Sequence, residues 1–227
     1  MYGQGSVITG LADDSDLDLI LVWDEGVPRE PTLEQQSKLT AHGELALKRS
    51  ELGGYAVDLM HVPKRVLDGW LDELEQGNGY TGNAWPLPVY VAAGLAESKL
   101  LVDPTGLGEQ YRERVRTPAP AVVDGVRRQL ETATPTYLKE LDRASACDNR
   151  WLHANLSVEL HKLTYMAWFL AEGHYPPFPK YLSQWYERFG MDRSIRDLEG
   201  AYWTITDPGE ATGVLQALVT AVLELDS

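Results

Sequence analysis

Gly5-Ser6-Val7-Ile8-Thr9-Gly10-Leu11-Ala12-Asp13-Asp14-Ser15-Asp16-Leu17-Asp18-Leu19-Ile20-Leu21-Val22 is the stretch on which the reading of this chain turns. A Gly-Ser pair opens a turn, a short polar loop follows, and two aspartates one residue apart enter an apolar run. That run, Leu17 to Trp23, has the length and composition of a buried strand. Alternate residues of a strand point to the same face, so Asp16 and Asp18 project their carboxylates side by side. Adjacent carboxylates repel, and partial burial adds to the cost of ionising both. A divalent cation removes that cost. Hard oxygen ligands suit Mg²⁺, which bridges carboxylates to substrate phosphates.

Two plainer readings compete. Asp14, Asp16, Asp18 and Glu25 fall at the first, third, fifth and twelfth positions of a calcium loop, but such a loop needs glycine at its sixth position, where this chain has Leu19. A solvated acidic loop accounts for Asp13 and Asp14. It accounts poorly for Asp18, which lies inside the apolar run, where an unpaired charge is costly.

A second stretch, Tyr55-Ala56-Val57-Asp58-Leu59-Met60-His61-Val62, reads as another apolar strand interrupted by a single acid. Gly5-Ser6, then Asp16-x-Asp18 on a strand, then Asp58 on a later strand resembles the signature of the nucleotidyltransferase superfamily, the DNA polymerase β-like fold. The resemblance implies an α/β nucleotidyltransferase domain with a mixed sheet, followed by an all-α helical bundle. It implies catalytic and metal-binding roles for Asp16, Asp18 and Asp58, with two Mg²⁺ ions, and phosphate binding by Gly5 and Ser6. In the family a helix and most of a strand precede the Gly-Ser turn, whereas only Met1 to Gln4 precede it here, which favours a homodimer.

Composition narrows the function classes. The 227 residues suffice for one large or two small domains. With 20 Lys and Arg against 34 Asp and Glu the net charge is -14, which repels a polyanion and argues against a nucleic-acid acceptor. Arg112, Arg114 and Arg116 form the densest basic run and read as a solvated helix end. The single cysteine, Cys147, excludes an intramolecular disulfide and gives no zinc spacing. No apolar run approaches the ~20 residues of a membrane span, and no signal peptide is evident; a cytoplasmic location is expected.

Along the chain, Leu17 to Trp23 is expected to be a strand and Pro28 to Pro31 a turn region. Thr32 with Gln35 suggests a capping box for a helix from 32 to 52, stopped by Gly53-Gly54. The Asp58 strand ends at Pro63. Lys64 to Gln76 has helical apolar spacing, 77 to 88 is a loop, Val89 to Ala96 a helix, and Lys99 to Val102 a short strand. Asp103-Pro104-Thr105-Gly106 resembles the motif closing the catalytic domain of small-molecule nucleotidyltransferases, but Asp103 itself reads as a turn former. Thr117-Pro118-Ala119-Pro120 is linker-like, dividing a catalytic domain (1–116) from a helical one (117–227) with helices expected at 122–141, 149–172, 180–189, 195–202 and 208–224.

His161 to Leu170 followed by Tyr175-Pro176-Pro177-Phe178-Pro179-Lys180-Tyr181-Leu182 is similar to the C-terminal half of aminoglycoside-type nucleotidyltransferases. That likeness implies that Lys162 and Lys180 face the nucleotide; solvation is the ordinary fate of lysines. Trp85, Tyr90, Trp151, Tyr165, Trp168, Tyr181 and Trp185 offer stacking surfaces, although core packing is the commoner task of such rings. Glu159 and Asp148 are candidate acceptor-binding acids. His61 and His153 have no ligand spacing. Taken together, the resemblance implies metal-dependent transfer of a nucleoside monophosphate, AMP from ATP, to a hydroxyl of a small antibiotic-like acceptor. A toxin–antitoxin-type enzyme acting on protein or tRNA, and a catalytically silent nucleotide-binding module, stay open as alternatives.

Overall fold

The computed structural model describes residues 1–11, 16–26, 35–82 and 86–225. In order these form β1 (Tyr2–Gln4), α1 (Gly5–Thr9), β2 (Leu17–Trp23), β3 (Gln35–Thr40), β4 (Gly43–Leu52), β5 (Tyr55–Pro63), α2 (Lys64–Glu75), α3 (Pro88–Ala96), β6 (Lys99–Leu100) and α4 (Leu107–Arg114). Then follow α5 (Pro120–Ala146), α6 (Arg150–Ala171), α7 (Leu182–Phe189), α8 (Arg193–Tyr202) and α9 (Pro208–Leu223). The chain divides into two units, Met1–Ala119 and Pro120–Ser227. The expected Asp13–Asp14 loop, the Pro28–Pro31 turn, the Thr32 cap and the Trp85 stacking surface lie outside the described residues.

The first unit is a mixed six-stranded sheet in the order β3-β4-β5-β2-β1-β6. β2 and β5 are parallel; the other pairs are antiparallel. Alternation sets the faces. Asp18, Ile20 and Val22 share a face with Asp58, Met60 and Val62, because Asp18 pairs with Asp58, Ile20 with Met60 and Val22 with Val62. Ile20, Val62 and Leu45 are fully buried and Tyr2 nearly so. Amphipathic α2 adds Val66, Leu67, Trp70, Leu71 and Leu74, all buried. The acids therefore sit at one end of a face on which Ile20, Val62 and Leu45 are core.

One expected element is wrong. The helix over 32–52 is instead a hairpin, β3 and β4, as far as its residues are described. Glutamine, lysine, leucine, alanine and glutamate favour helix locally, but β4 gains a full ladder against β5, from Ala46 opposite His61 to Leu52 opposite Tyr55. Tertiary pairing overrides propensity. Gly53 and Gly54, expected to stop a helix, have φ of 60° and 87° and form the two-residue turn between β4 and β5, with the positive φ at both centres that favours Gly-Gly in tight hairpins.

Asp103 is a helix cap. Its carboxylate accepts from the backbone N–H groups of Gly108 (2.9 Å) and Glu109 (3.1 Å), and the Gly108 bond above all holds its carboxyl below the usual range.

The second unit holds α5 to α9, with no strand among its described residues. Asn149 and Asp192 cap α6 and α8. The core forms along α6, where Leu160, Leu163, Tyr165, Trp168, Phe169 and Leu170 are buried. Among the described residues no helix is long and apolar enough to cross a membrane.

Candidate active site

The site grows from strand register. Gln4 on β1 is opposite Asp18 on β2, Asp18 is opposite Asp58 on β5, and Asp58 is opposite Arg49 on β4. Directly opposed residues share a face, so Gln4, Asp18, Asp58 and Arg49 make one row across four strands. Asp16 immediately precedes β2, two residues before Asp18. Its Oδ2 accepts from Arg49 Nη2 at 2.7 Å, and Arg49 Nε stands 3.8 Å from Asp58 Oδ1. The register places Asp18 beside Asp58, and Arg49, a cation that the sequence reading did not single out, links Asp16 to Asp58.

Gly5 is bound to this row by sterics. Its φ is 81°, in the left-handed region, and a Cβ built there would fall 2.0 Å from Asp18 Oδ2. Only glycine lets the chain turn from β1 into α1 while lying this close to the carboxylate. The Gly5-Ser6 pair is therefore a strand-to-helix junction rather than a free turn, and Ser6 is largely buried, 8% exposed. The acids are half-exposed, with side chains 40% (Asp16) and 47% (Asp58) accessible.

The charges of the four named side chains sum to a negative value. Three carboxylates and one guanidinium carry a formal charge of about -2, the charge that one divalent cation neutralises. The donors are all carboxylate oxygens, the chemistry preferred by Mg²⁺ and not by soft metals. Among the described residues no three acid, imidazole or thiol side chains already converge closely enough to enclose a metal ion.

The other candidates fall elsewhere. Lys162 and Lys180 belong to the helical unit. Lys162 Nζ donates to Glu159 Oε1 at 2.9 Å in an exposed pair along α6, and Lys180 Nζ lies 5.1 Å from the centre of the Tyr181 ring. Asp148 is exposed and pairs with Arg150 at 3.4 Å. Tyr165, Trp168 and Trp185 are buried, with the Tyr165 hydroxyl donating to the Pro177 carbonyl, so these three serve the core. Trp151 is 75% exposed. Tyr90 is partly buried, which pushes its phenol up. His61 accepts from Trp23 Nε1 at 3.1 Å and stacks on that ring; His153 bonds Thr212 at 3.0 Å.

Arg49 and Gln4 are the residues that the sequence reading missed. The pattern that could have found Arg49 is the alternation Leu45-x-Leu47-x-Arg49 ahead of Gly53-Gly54, a hairpin signal. Read as a helix, the segment has no register with Asp58.

No known protein-family profile matches the chain, and no curated protein matches it. Among solved structures it is similar to a nucleotidyltransferase-like protein from Exiguobacterium sibiricum 255-15, at 12% identity and a TM-score of 0.48, over 98% of this chain and 69% of that one.

Proposed function

We propose that this chain is a metal-dependent nucleotidyltransferase whose reaction centre is the group Asp16, Asp18 and Asp58. The observation that carries the reading is the row itself: Asp18 and Asp58 are paired across parallel strands, Gly5 closes on Asp18, and Asp16 shares a guanidinium with Asp58. Asp16, Asp18 and Asp58 would hold Mg²⁺, one ion or two, which when bound neutralises charge on the phosphates and the leaving group.

The chain's own residues do the rest. Two hydrogen-bonded strands fix the spacing of Asp18 and Asp58, so these groups are oriented before chemistry begins. Gly5 allows the backbone of the β1–α1 junction to approach a phosphate. Asp58 takes the proton of the acceptor hydroxyl as its oxygen attacks the α-phosphorus of the triphosphate. The new P–O bond forms as the bond between the α-phosphorus and the bridging oxygen breaks, and pyrophosphate leaves with that electron pair. The donor is ATP, giving AMP transfer, and the acceptor a small antibiotic-like molecule bearing a hydroxyl. A net charge of -14 favours a neutral or cationic acceptor over nucleic acid. Lys180 is the cation of the helical unit that this reading assigns to the triphosphate.

The test is incubation with each of four radiolabelled nucleoside triphosphates, Mg²⁺, and a panel of aminoglycosides, lincosamides and nucleosides. Labelled acceptor and pyrophosphate are expected. Asp16→Asn and Asp18→Asn are expected to lower turnover at least about 100-fold, with circular dichroism unchanged. Near-normal turnover in either variant removes these acids from the reaction centre.

A further inference from the structure

Arg49 brings a positive charge into an acid group that a metal is expected to occupy. Its guanidinium gives one nitrogen to each of two carboxylates, Nη2 to Asp16 and Nε towards Asp58. Strand pairing places it there, since Arg49 is opposite Asp58 in the β4–β5 ladder. Burial does not hold it, because its side chain is 66% exposed. Exposed ion pairs are weak, so the guanidinium can leave its carboxylates without loss of the strands beneath it. It engages Asp16 Oδ2 and faces Asp58 Oδ1, oxygens of the same two carboxylates that would serve a metal.

Resting on the nucleotidyltransferase reading, we propose that Arg49 is a resident counterion that divalent metal must displace. In metal-free protein it offsets the repulsion among Asp16, Asp18 and Asp58, and so competes with the cation for their oxygens. A guanidinium also matches phosphate oxygens in a planar fork. Once displaced, Arg49 turns to the triphosphate that arrives with the metal. Metal alone therefore binds against the arginine, whereas metal with triphosphate binds with its help. Arg49 is a positioning residue that couples the two ligands, and the coupling is reciprocal.

The test is Mn²⁺ titration followed by the electron paramagnetic resonance of free ion. It is run on wild type, Arg49→Gln, Arg49→Lys and Asp16→Asn, with and without adenosine 5′-(α,β-methylene)triphosphate. Without nucleotide, Arg49→Gln is expected to bind Mn²⁺ roughly three- to tenfold more tightly than wild type, the scale for removing one exposed charge close by. Arg49→Lys, with a point charge in place of the fork, is expected to lie between them. With the analogue present, the advantage of Arg49→Gln should vanish or reverse. If wild type binds Mn²⁺, Asp16→Asn abolishes that binding, and Arg49→Gln binds no more tightly than wild type, the counterion proposal is overturned while the nucleotidyltransferase reading stands. If no protein binds Mn²⁺ with or without the analogue, both are overturned. Arg49→Lys keeps the charge on β4 and answers the question should Arg49→Gln fail to fold.

Discussion

The two units of this chain handle charge differently. The sheet unit has helical pairs such as Lys64–Asp68 and Arg112–Glu109, but it also has ion pairs between residues distant in sequence: Arg49 with Asp16 and Asp58, His42 with Glu73 at 2.6 Å, and Arg114 with Glu75 at 2.6 Å. In the helical unit, Lys162–Glu159, Arg127–Glu131 and Arg143–Glu140 are pairs three or four residues apart on single helices. Longer connections there fall to rings, such as Trp168 with Tyr186 at 4.8 Å between centroids. His161 and Glu199, 3.8 Å apart, are an exception among the described residues. Any solvated helix can form a pair three or four residues apart. A pair between distant strands exists only because the fold builds it. Charged side chains gathered in that second way are the better candidates for chemistry, and the acid row belongs to that kind.

The hairpin carries Arg49 and His42 to their partners. Leu45 on β4 is fully buried. Leu45→Ala is expected to cost about 2–5 kcal/mol, lost transfer energy plus a cavity, measured by urea unfolding. Leu39 on β3 is 82% exposed, and Leu39→Ser should change stability by less than about 0.5 kcal/mol. Equal effects at both positions would mean that the hairpin does not root the long-range pairs.

A smaller effect tests the hairpin by its sign. In a helix spanning 32–52, Gly43 would be an interior glycine, and Gly43→Ala would stabilise by about 0.5–1 kcal/mol. In the hairpin Gly43 has φ of 140°, and an added Cβ would lie 3.0 Å from Arg65 Nε. There the same substitution should destabilise by about 1 kcal/mol or more. A rise in melting temperature would restore the helix.

How far the sequence could be read follows from where local and tertiary preferences agree. Leu17–Trp23 and Tyr55–Pro63 are apolar runs with β-branched residues, each broken by an acid, and both are the expected strands. These strands pair in register, which sets Asp18 opposite Asp58. The helices of the second unit were legible in the same way, by apolar spacing and by caps such as Asn149. The segment 35–52 was not, because its residues favour helix and its pairing partner lies outside the window that propensity sees. Arg49 was lost with it. A role that depends on facing Asp58 across a ladder has no signature until the ladder is known.

Asp68, held by one contact along its own helix and by others from α4, predicts a pH dependence. Burial alone would raise the Asp68 carboxyl, but hydrogen bonds from Lys64 and Tyr111 and the charge of Arg114 bring it below its ordinary value. The Lys64 and Tyr111 bonds are 2.6 and 2.7 Å long. A depressed carboxyl stabilises the fold above the unfolded value, near 3.9, and that stability is lost as pH falls through the folded value. Asp68→Asn is therefore expected to cost about 1 kcal/mol at pH 7, discounted for partial exposure. The gap from wild type should close below about pH 4 in urea titrations across pH. A gap independent of pH would mean that Asp68 acts through shape rather than charge.

The smallest expected effect lies in the helical unit. Lys162 and Glu159 are exposed, with side chains 53% and 57% accessible, and their 2.9 Å contact is the kind that any surface helix can form. Lys162→Ala should therefore lower stability by only about 0.2–0.5 kcal/mol, and this loss should fade in high salt as the charges are screened. Glu159→Ala should match it, since each substitution removes the same pair, and the double variant should cost about as much as either single. Triphosphate binding by the same proteins is measured by calorimetry. If Lys162 serves only its local pair, the affinity of Lys162→Ala equals that of wild type. A loss of tenfold or more, with stability barely changed, would show that a cation engaged locally in the free protein serves the nucleotide in the complex. Pairing along one helix would then no longer separate solvated charge from working charge.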